Sequence, residues 1–237
     1  MKQKNDIKNK NLIEDRSIQI NSHIETKNTH IIGSDEVGTG DVFGPVVVCS
    51  VLVTDKDVIF LKEIGVKDSK KLSKIQIQKI FENIKDKILY EVKIVSPSEY
   101  NELNKKNNLN KIKALCHNYV ILEMLKKVKQ KPMVVVDQFA KPELYFNYLK
   151  TEKKVYKDII FETKAESKYL SVALASIIAR NIFLKEIAAI NKQLGINLTL
   201  GAGCKVDEQI KRIYQKNKLN LFQKIAKCNF KNIQKYF

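Results

Sequence analysis

The runs His30-Ile31-Ile32-Gly33-Ser34-Asp35 and Pro45-Val46-Val47-Val48-Cys49-Ser50-Val51-Leu52-Val53 flank a glycine-rich stretch, residues 38–44. The first run opens a strand that ends on Asp35-Glu36. The second is densely β-branched and reads as a largely buried strand. The linker of 38–44 is too short for a crossover helix, so the spacing predicts an antiparallel hairpin.

Working outward, Leu89–Val95 alternates with period two and extends the sheet as a half-buried third strand. Before it, Ser73–Ile88 has helical spacing through Ile75, Ile77, Ile80, Phe81, Ile84 and Ile88. Leu109–Val128 reads as a long amphipathic helix capped by Asn108, with Ile112, Leu115, Cys116, Tyr119, Leu122 and Leu125 on or near one face. Met133–Val136 is a short apolar strand after Pro132, a short helix follows, and Ile159–Thr163 is a further strand. Leu170–Ile190 is apolar enough to be a largely buried helix, and two Lys-rich helices follow from Val206. Hairpin-linked strands followed by helix-crossed strands predict the α/β class, with a mixed five-stranded sheet flanked by helices.

The texture changes near Thr29. Residues 1–29 are polar and basic and read as a tail, leaving 30–237 as the folded domain. The tail opens without an apolar run, so no signal peptide is expected. No stretch approaches the roughly 18 apolar residues of a membrane span. The chain has 237 residues, 44% of them hydrophobic, which excludes whole-chain disorder. Lys and Arg exceed Asp and Glu by 17, which favours a polyanionic partner, nucleic acid or an acidic membrane. A basic amphipathic helix with exposed large aromatics is missing, which counts against the membrane. Only Arg16, Arg180 and Arg212 are arginine, so phosphate contacts would rest on Lys point charges. Cys49, Cys116, Cys204 and Cys228 lack zinc spacing and read as free thiols in a reducing cytoplasm.

Against this basic background, acids follow separate apolar strands. Asp35 and Glu36 end the first strand, Asp137 ends the strand 133–136, and Glu166 follows 159–163. If the first strand and 133–136 are parallel neighbours, Asp35 and Asp137 share one edge of the sheet, where open α/β sheets bind ligands. Acids gathered there repel unless cations are bound, and carboxylates suit Mg²⁺ or Mn²⁺. Two such ions are a known device for displacement at phosphorus. Each acid has a plainer reading as a turn former, an N-cap or a first-turn helix residue. Asp41 reads as a turn residue. Gly38, Thr39 and Gly40 are either an ordinary turn or backbone donors that approach a nucleic acid. Ser69, Lys70 and Lys71, with Lys164 and Lys168 flanking Glu166, are either solvated or phosphate ligands. A local acid cluster in a basic chain fits a nuclease better than a non-catalytic hybrid- or RNA-binding module.

These segments resemble ribonuclease HIII, a branch of the type 2 ribonucleases H. The similarity runs in order through GSDEVGTGDVFGPVVV (33–48), KDSKKLS (67–73), NLNKIKALCHNYVI (108–121), VVVDQFA (134–140), TKAESKYLSVALASIIAR (163–180), LGAGCKVD (200–207) and FQKIAKCNFKN (222–232). The resemblance implies a ribonuclease H-like fold and endonucleolytic cutting of the RNA strand in RNA–DNA hybrids, leaving 5′-phosphate and 3′-hydroxyl ends. It implies two divalent ions, Mg²⁺ or Mn²⁺, held by Asp35, Glu36, Asp137 and Glu166. Asp35 would bridge both, Glu166 would hold the water-activating ion, and Glu36 and Asp137 the ion at the leaving oxygen. The chain is expected to act as a monomer in the cytoplasm. Two departures stand out. Only about 29 residues precede the core, against the family's N-terminal substrate-gripping domain, and Cys228-Asn229 replaces a Leu-His pair. The central Thr39 of the glycine motif stands where the HII branch has Arg, which implies cutting within runs of ribonucleotides rather than at single ones. His117 matches the family helix, and a lone helical His reads as structural.

Overall fold

A computed structural model of the chain describes residues 30–216 and 220–236. The tail 1–29 lies outside the described residues. Strands β1 (His30–Val37) and β2 (Val46–Thr54) form the expected antiparallel hairpin, with Asp35 opposite Cys49. Strand β3 (Tyr90–Val95) adds antiparallel to β2, β4 (Met133–Asp137) runs parallel beside β1, and β5 (Ile159–Glu162) runs parallel beside β4. The sheet order is β3-β2-β1-β4-β5.

The helices are α1 (Asp55–Glu63), α2 (Lys74–Ile84), α3 (Pro97–Asn104), α4 (Leu109–Lys127), α5 (Pro142–Tyr148), α6 (Leu170–Leu194), α7 (Cys204–Lys216), α8 (Asn220–Ile225) and α9 (Lys231–Gln234). Two of them, α1 and α3, go beyond the sequence reading. Their signals are local. Thr54 and Asp57 close a capping box, and Ser96 caps α3 with Pro97 in its first turn. Among the described residues the C-terminal part holds three helices, α7, α8 and α9, rather than two.

Strand alternation sends β2 into two cores. Val47, Cys49, Val51 and Val53 face α6 and α2, while Val46 and Val48 meet α3 and α4. On β4, Val135 packs with Val172 of α6, whereas Val134 and Val136 join Ile32, Ile121 and Met124 on the α4 side. Helix α6 lies directly on β1: a Cβ on Gly33 would stand 2.3 Å from Ser171 C and Val172 N. Helix α4 starts where Asn108 accepts a hydrogen bond from Lys111 N, as expected. Its buried face is not the expected one. Ile112, Cys116, Val120, Ile121 and Met124 are buried together with Lys113 and His117, and Tyr119 is exposed. The helix is covered by the sheet, α3 and α5, so its apolar surface is wider than one stripe. Among the described residues no helix is long and apolar enough to cross a membrane.

Candidate active site

Because β1 and β4 are parallel neighbours, with Ser34 paired to Val136, Asp35 and Asp137 end up side by side at one end of the sheet. Both stand at positions that face α6. Ser176 of α6 hydrogen-bonds Asp35, whose Oδ1 also accepts from Glu36 N at 2.7 Å. Asp137 Oδ1 accepts from Ala165 N at 2.9 Å, which ties β4 to the 3-10 turn Ala165–Ser167 carrying Glu166. That turn begins at Lys164 in the left-handed region (φ 54°). Glu36, one residue on from Asp35, faces the other way, toward α4. Lys113 Nζ lies 2.6 Å from its Oε1 and His117 Nε2 lies 2.9 Å from its Oε2. A carboxylate only accepts, so Nε2 carries the hydrogen. Nδ1 of the same ring lies 2.8 Å from Ser34 Oγ.

The electrostatics divide along the same line. Burial, with the charges of Glu36 and Asp137, pushes the Asp35 carboxyl up to about 8. Burial also raises Asp137, opposed by the Ala165 N–H and aided by Glu166 and Glu36. Glu36 is buried too, but the donors His117 and Lys113 outweigh burial and hold it below the usual carboxylate range. Glu166 Oε1 has Lys70 Nζ at 3.4 Å, while its Oε2 is buried with no hydrogen-bond partner. Burial is the largest single influence on the Lys70 ammonium and lowers it, but the charge and hydrogen bond of Glu166, with Asp35 and Asp68, together outweigh it and raise it overall.

This donor set suits hard divalent ions: the candidate ligating atoms are all carboxylate oxygens, Asp35 and Asp137 are pushed toward their neutral form by burial and then by neighbouring carboxylates, and one buried oxygen of Glu166 lacks a partner. Among the described residues no three His, Cys, Asp or Glu side chains already form a cage around one point. The reason is visible, since Glu36 is drawn toward α4 and Glu166 toward Lys70.

The other expected residues fall on either side of this cleft. Gly38 (φ 95°) needs to be glycine, because a Cβ would stand 2.2 Å from Pro45 O. Thr39 is half-buried, and Gly40 is open, with room for a Cβ. The loop is braced by the C-terminal segments. Val42 N donates to Gly201 O, Gly201 N to Asp41 Oδ1, Gly44 N to Ile225 O and Lys227 N to Val42 O. Asp41 is thus a loop clasp, as its reading as a turn residue suggested. Lys70, Lys71, Lys164 and Lys168 are exposed, and Lys168 pairs with Glu162. Ser69 corrects the sequence reading: it is buried and its hydroxyl is 2.9 Å from Ser176 Oγ, so it supports the loop from beneath rather than facing a phosphate. The sequence reading does not include Lys113, and it treats His117 as structural. The available signal was two polar residues four apart on the apolar face of α4. All four cysteines are free.

The ribonuclease HII family model matches residues 32–233. The chain is 55% identical over 207 residues to ribonuclease HIII of Phytoplasma mali, covering 87% of this chain and 72% of that protein. It is 42% identical over 211 residues to ribonuclease HIII of Bacillus mycoides, covering 87% and 68%. The crystal structure of Bst-RNase HIII in complex with Mn²⁺ superposes with a TM-score of 0.83 at 35% identity, covering 88% of this chain and 69% of that one. With its sheet, its site-bearing segments and these relatives in agreement, the chain belongs to the ribonuclease HII family, on its ribonuclease HIII branch, and is an endoribonuclease.

Proposed function

We propose that the chain cuts the RNA strand of RNA–DNA hybrids, and that Asp35, Glu36, Asp137 and Glu166 hold two divalent ions, Mg²⁺ or Mn²⁺. The observation that carries this reading is the set of acids at the end of β1 and β4, with Asp35 pushed up to about 8 in a chain of net charge +17. Burying like charges this way costs stability and is repaid when cations neutralise them. A relative crystallised with Mn²⁺ supports the choice of metal. When bound, such ions activate water and stabilise the leaving oxygen, giving 5′-phosphate and 3′-hydroxyl ends. The chain's own part is orientation. Asp35 lies beside Glu36 and Asp137, oriented by Ser176 and Glu36 N. Asp137 and Glu166 are linked through Ala165 N. Gly38–Gly40 offers backbone groups to the 2′-hydroxyls, while Lys70, Lys71, Lys164 and Lys168 meet phosphates. Residues 30–237 form the catalytic domain, acting as a monomer in the cytoplasm.

The test is cleavage of a labelled RNA–DNA hybrid with Mg²⁺, with Mn²⁺ and with chelator, by the wild type and by Asp35→Asn, Glu36→Gln, Asp137→Asn and Glu166→Gln. The expected outcome is metal-dependent cutting that each substitution reduces at least about a hundredfold, since each removes part of a charge-stabilising device. Near-full rates in three of the four variants would refute the assignment.

A further inference from the structure

Both oxygens of Glu36 are engaged by side-chain donors, one a lysine and the other a histidine. Lys113 Nζ lies 2.6 Å from Oε1, and the side chains are 9% and 11% exposed. His117, fully buried, holds Oε2. The Lys113 ammonium also stands 4.1 Å from the centre of the Phe139 ring, and Phe139 stacks on His117 at 5.2 Å between centroids. Phe139 follows β4 by two residues, so α4 and the end of β4 together box in the lysine.

Lys70 makes the opposite kind of contact. It meets Glu166 at 3.4 Å with its side chain 76% exposed. It can withdraw into water at little cost. Lys113 cannot, because leaving Glu36 would strand an ammonium among buried side chains.

We infer that Lys113 is a positioning residue acting through Glu36, a fixed internal counter-cation that weakens divalent-ion binding at that carboxylate. This rests on the two-ion reading above. A carboxylate has further lone pairs beyond those used by Lys113 and His117, so Glu36 remains a competent ligand. Any divalent ion that engages it does so beside a positive charge that stays in place. Two effects oppose each other when Lys113 is neutralised: like-charge repulsion disappears, and one restraint on Glu36 is lost. Repulsion wins, because His117 still orients the carboxylate, while the attraction of the other three acids for the ions is the same with and without the Lys113 charge. A purely structural lysine would give the reverse, since loosening the site would only weaken the metal.

The measurement is Mn²⁺ binding to the full chain without substrate, followed by loss of the free aqua-ion signal in electron paramagnetic resonance. Lys113→Gln retains a side-chain N–H donor and removes the charge, Lys113→Met removes both, and Lys113→Arg keeps the charge. Circular dichroism checks folding, and Lys113→Gln decides the matter where Lys113→Met does not fold. The expected result is tighter Mn²⁺ binding by about three- to tenfold in Lys113→Gln and Lys113→Met, with Lys113→Arg close to wild type. Lys113→Gln in a Glu36→Gln background should give no tightening over Glu36→Gln alone. Unchanged or weaker binding in Lys113→Gln overturns the inference while leaving the metal site standing. Tightening that persists without Glu36 overturns the route through that carboxylate. Absence of any Mn²⁺ binding sensitive to Asp35→Asn overturns the two-ion reading and this inference with it.

Discussion

Asp35 carries the clearest pH signature of the site. Its carboxyl moves from an ordinary 3.8 to about 8 on folding, first through burial and then through Glu36 and Asp137. Between those values the folded chain keeps a proton that the unfolded chain releases, so metal-free stability falls as pH rises from about 4 to about 8. Asp35→Asn removes that dependence. Its melting temperature in chelator should exceed that of the wild type at pH 8, and the difference should shrink toward pH 4. A variant less stable than wild type at pH 8 would mean that the Asp35 carboxyl is stabilising there. At this scale the sequence showed the acids, because each follows an apolar strand. It did not show Lys113 and His117 as neighbours of Glu36, because that contact spans some eighty positions along the chain.

At the scale of elements, the approach of α6 to β1 depends on Gly33. A Cβ there meets the helix backbone at 2.3 Å, and backbone cannot step aside as a side chain can. Gly33→Ala should destabilise by about 1–3 kcal/mol or more, read as a lower urea midpoint with unchanged slope. The glycine loop has a second brace, the buried Lys227, whose Nζ donates to Gly44 O at 2.6 Å. Burial lowers this ammonium to about 7, with Asp41 opposing. Between about 7 and 10.5 the unfolded chain holds a proton that the folded chain lacks, so this group adds stability as pH rises through that window. Melting curves of wild type and Lys227→Met at pH 7, 8.5 and 10 should therefore diverge in favour of the wild type. A constant difference would show that Lys227 keeps its charge throughout. The strands and long helices were legible from periodicity, whereas α1 and α3 were carried by capping residues, a weaker signal than a long apolar pattern.

For the molecule as a whole, a net charge of +17 makes hybrid binding a counterion-release process. Measured on Asp137→Asn with chelator present to prevent cutting, affinity should fall steeply with salt, with a log–log slope of about −0.9 per phosphate contact. A flat response would assign binding to something other than the lysine-bearing loops. The sequence alone determined the hairpin, because seven linker residues cannot hold a crossover, and the α/β class, because the apolar period switches between two and 3.6 along the chain. It also marked acids close to strand ends, although β1 runs past Asp35 and Glu36 to Val37. Only the tertiary structure decided that β4 lies beside β1, which brings Asp35 and Asp137 together from a hundred residues apart. It alone decided that Glu36 faces α4 while Asp35 faces α6, that Ser69 points inward, and that Lys113 is buried. Periodicity reports which face of an element is apolar. It carries no information on which distant element covers that face, and every one of these contacts is set by that covering.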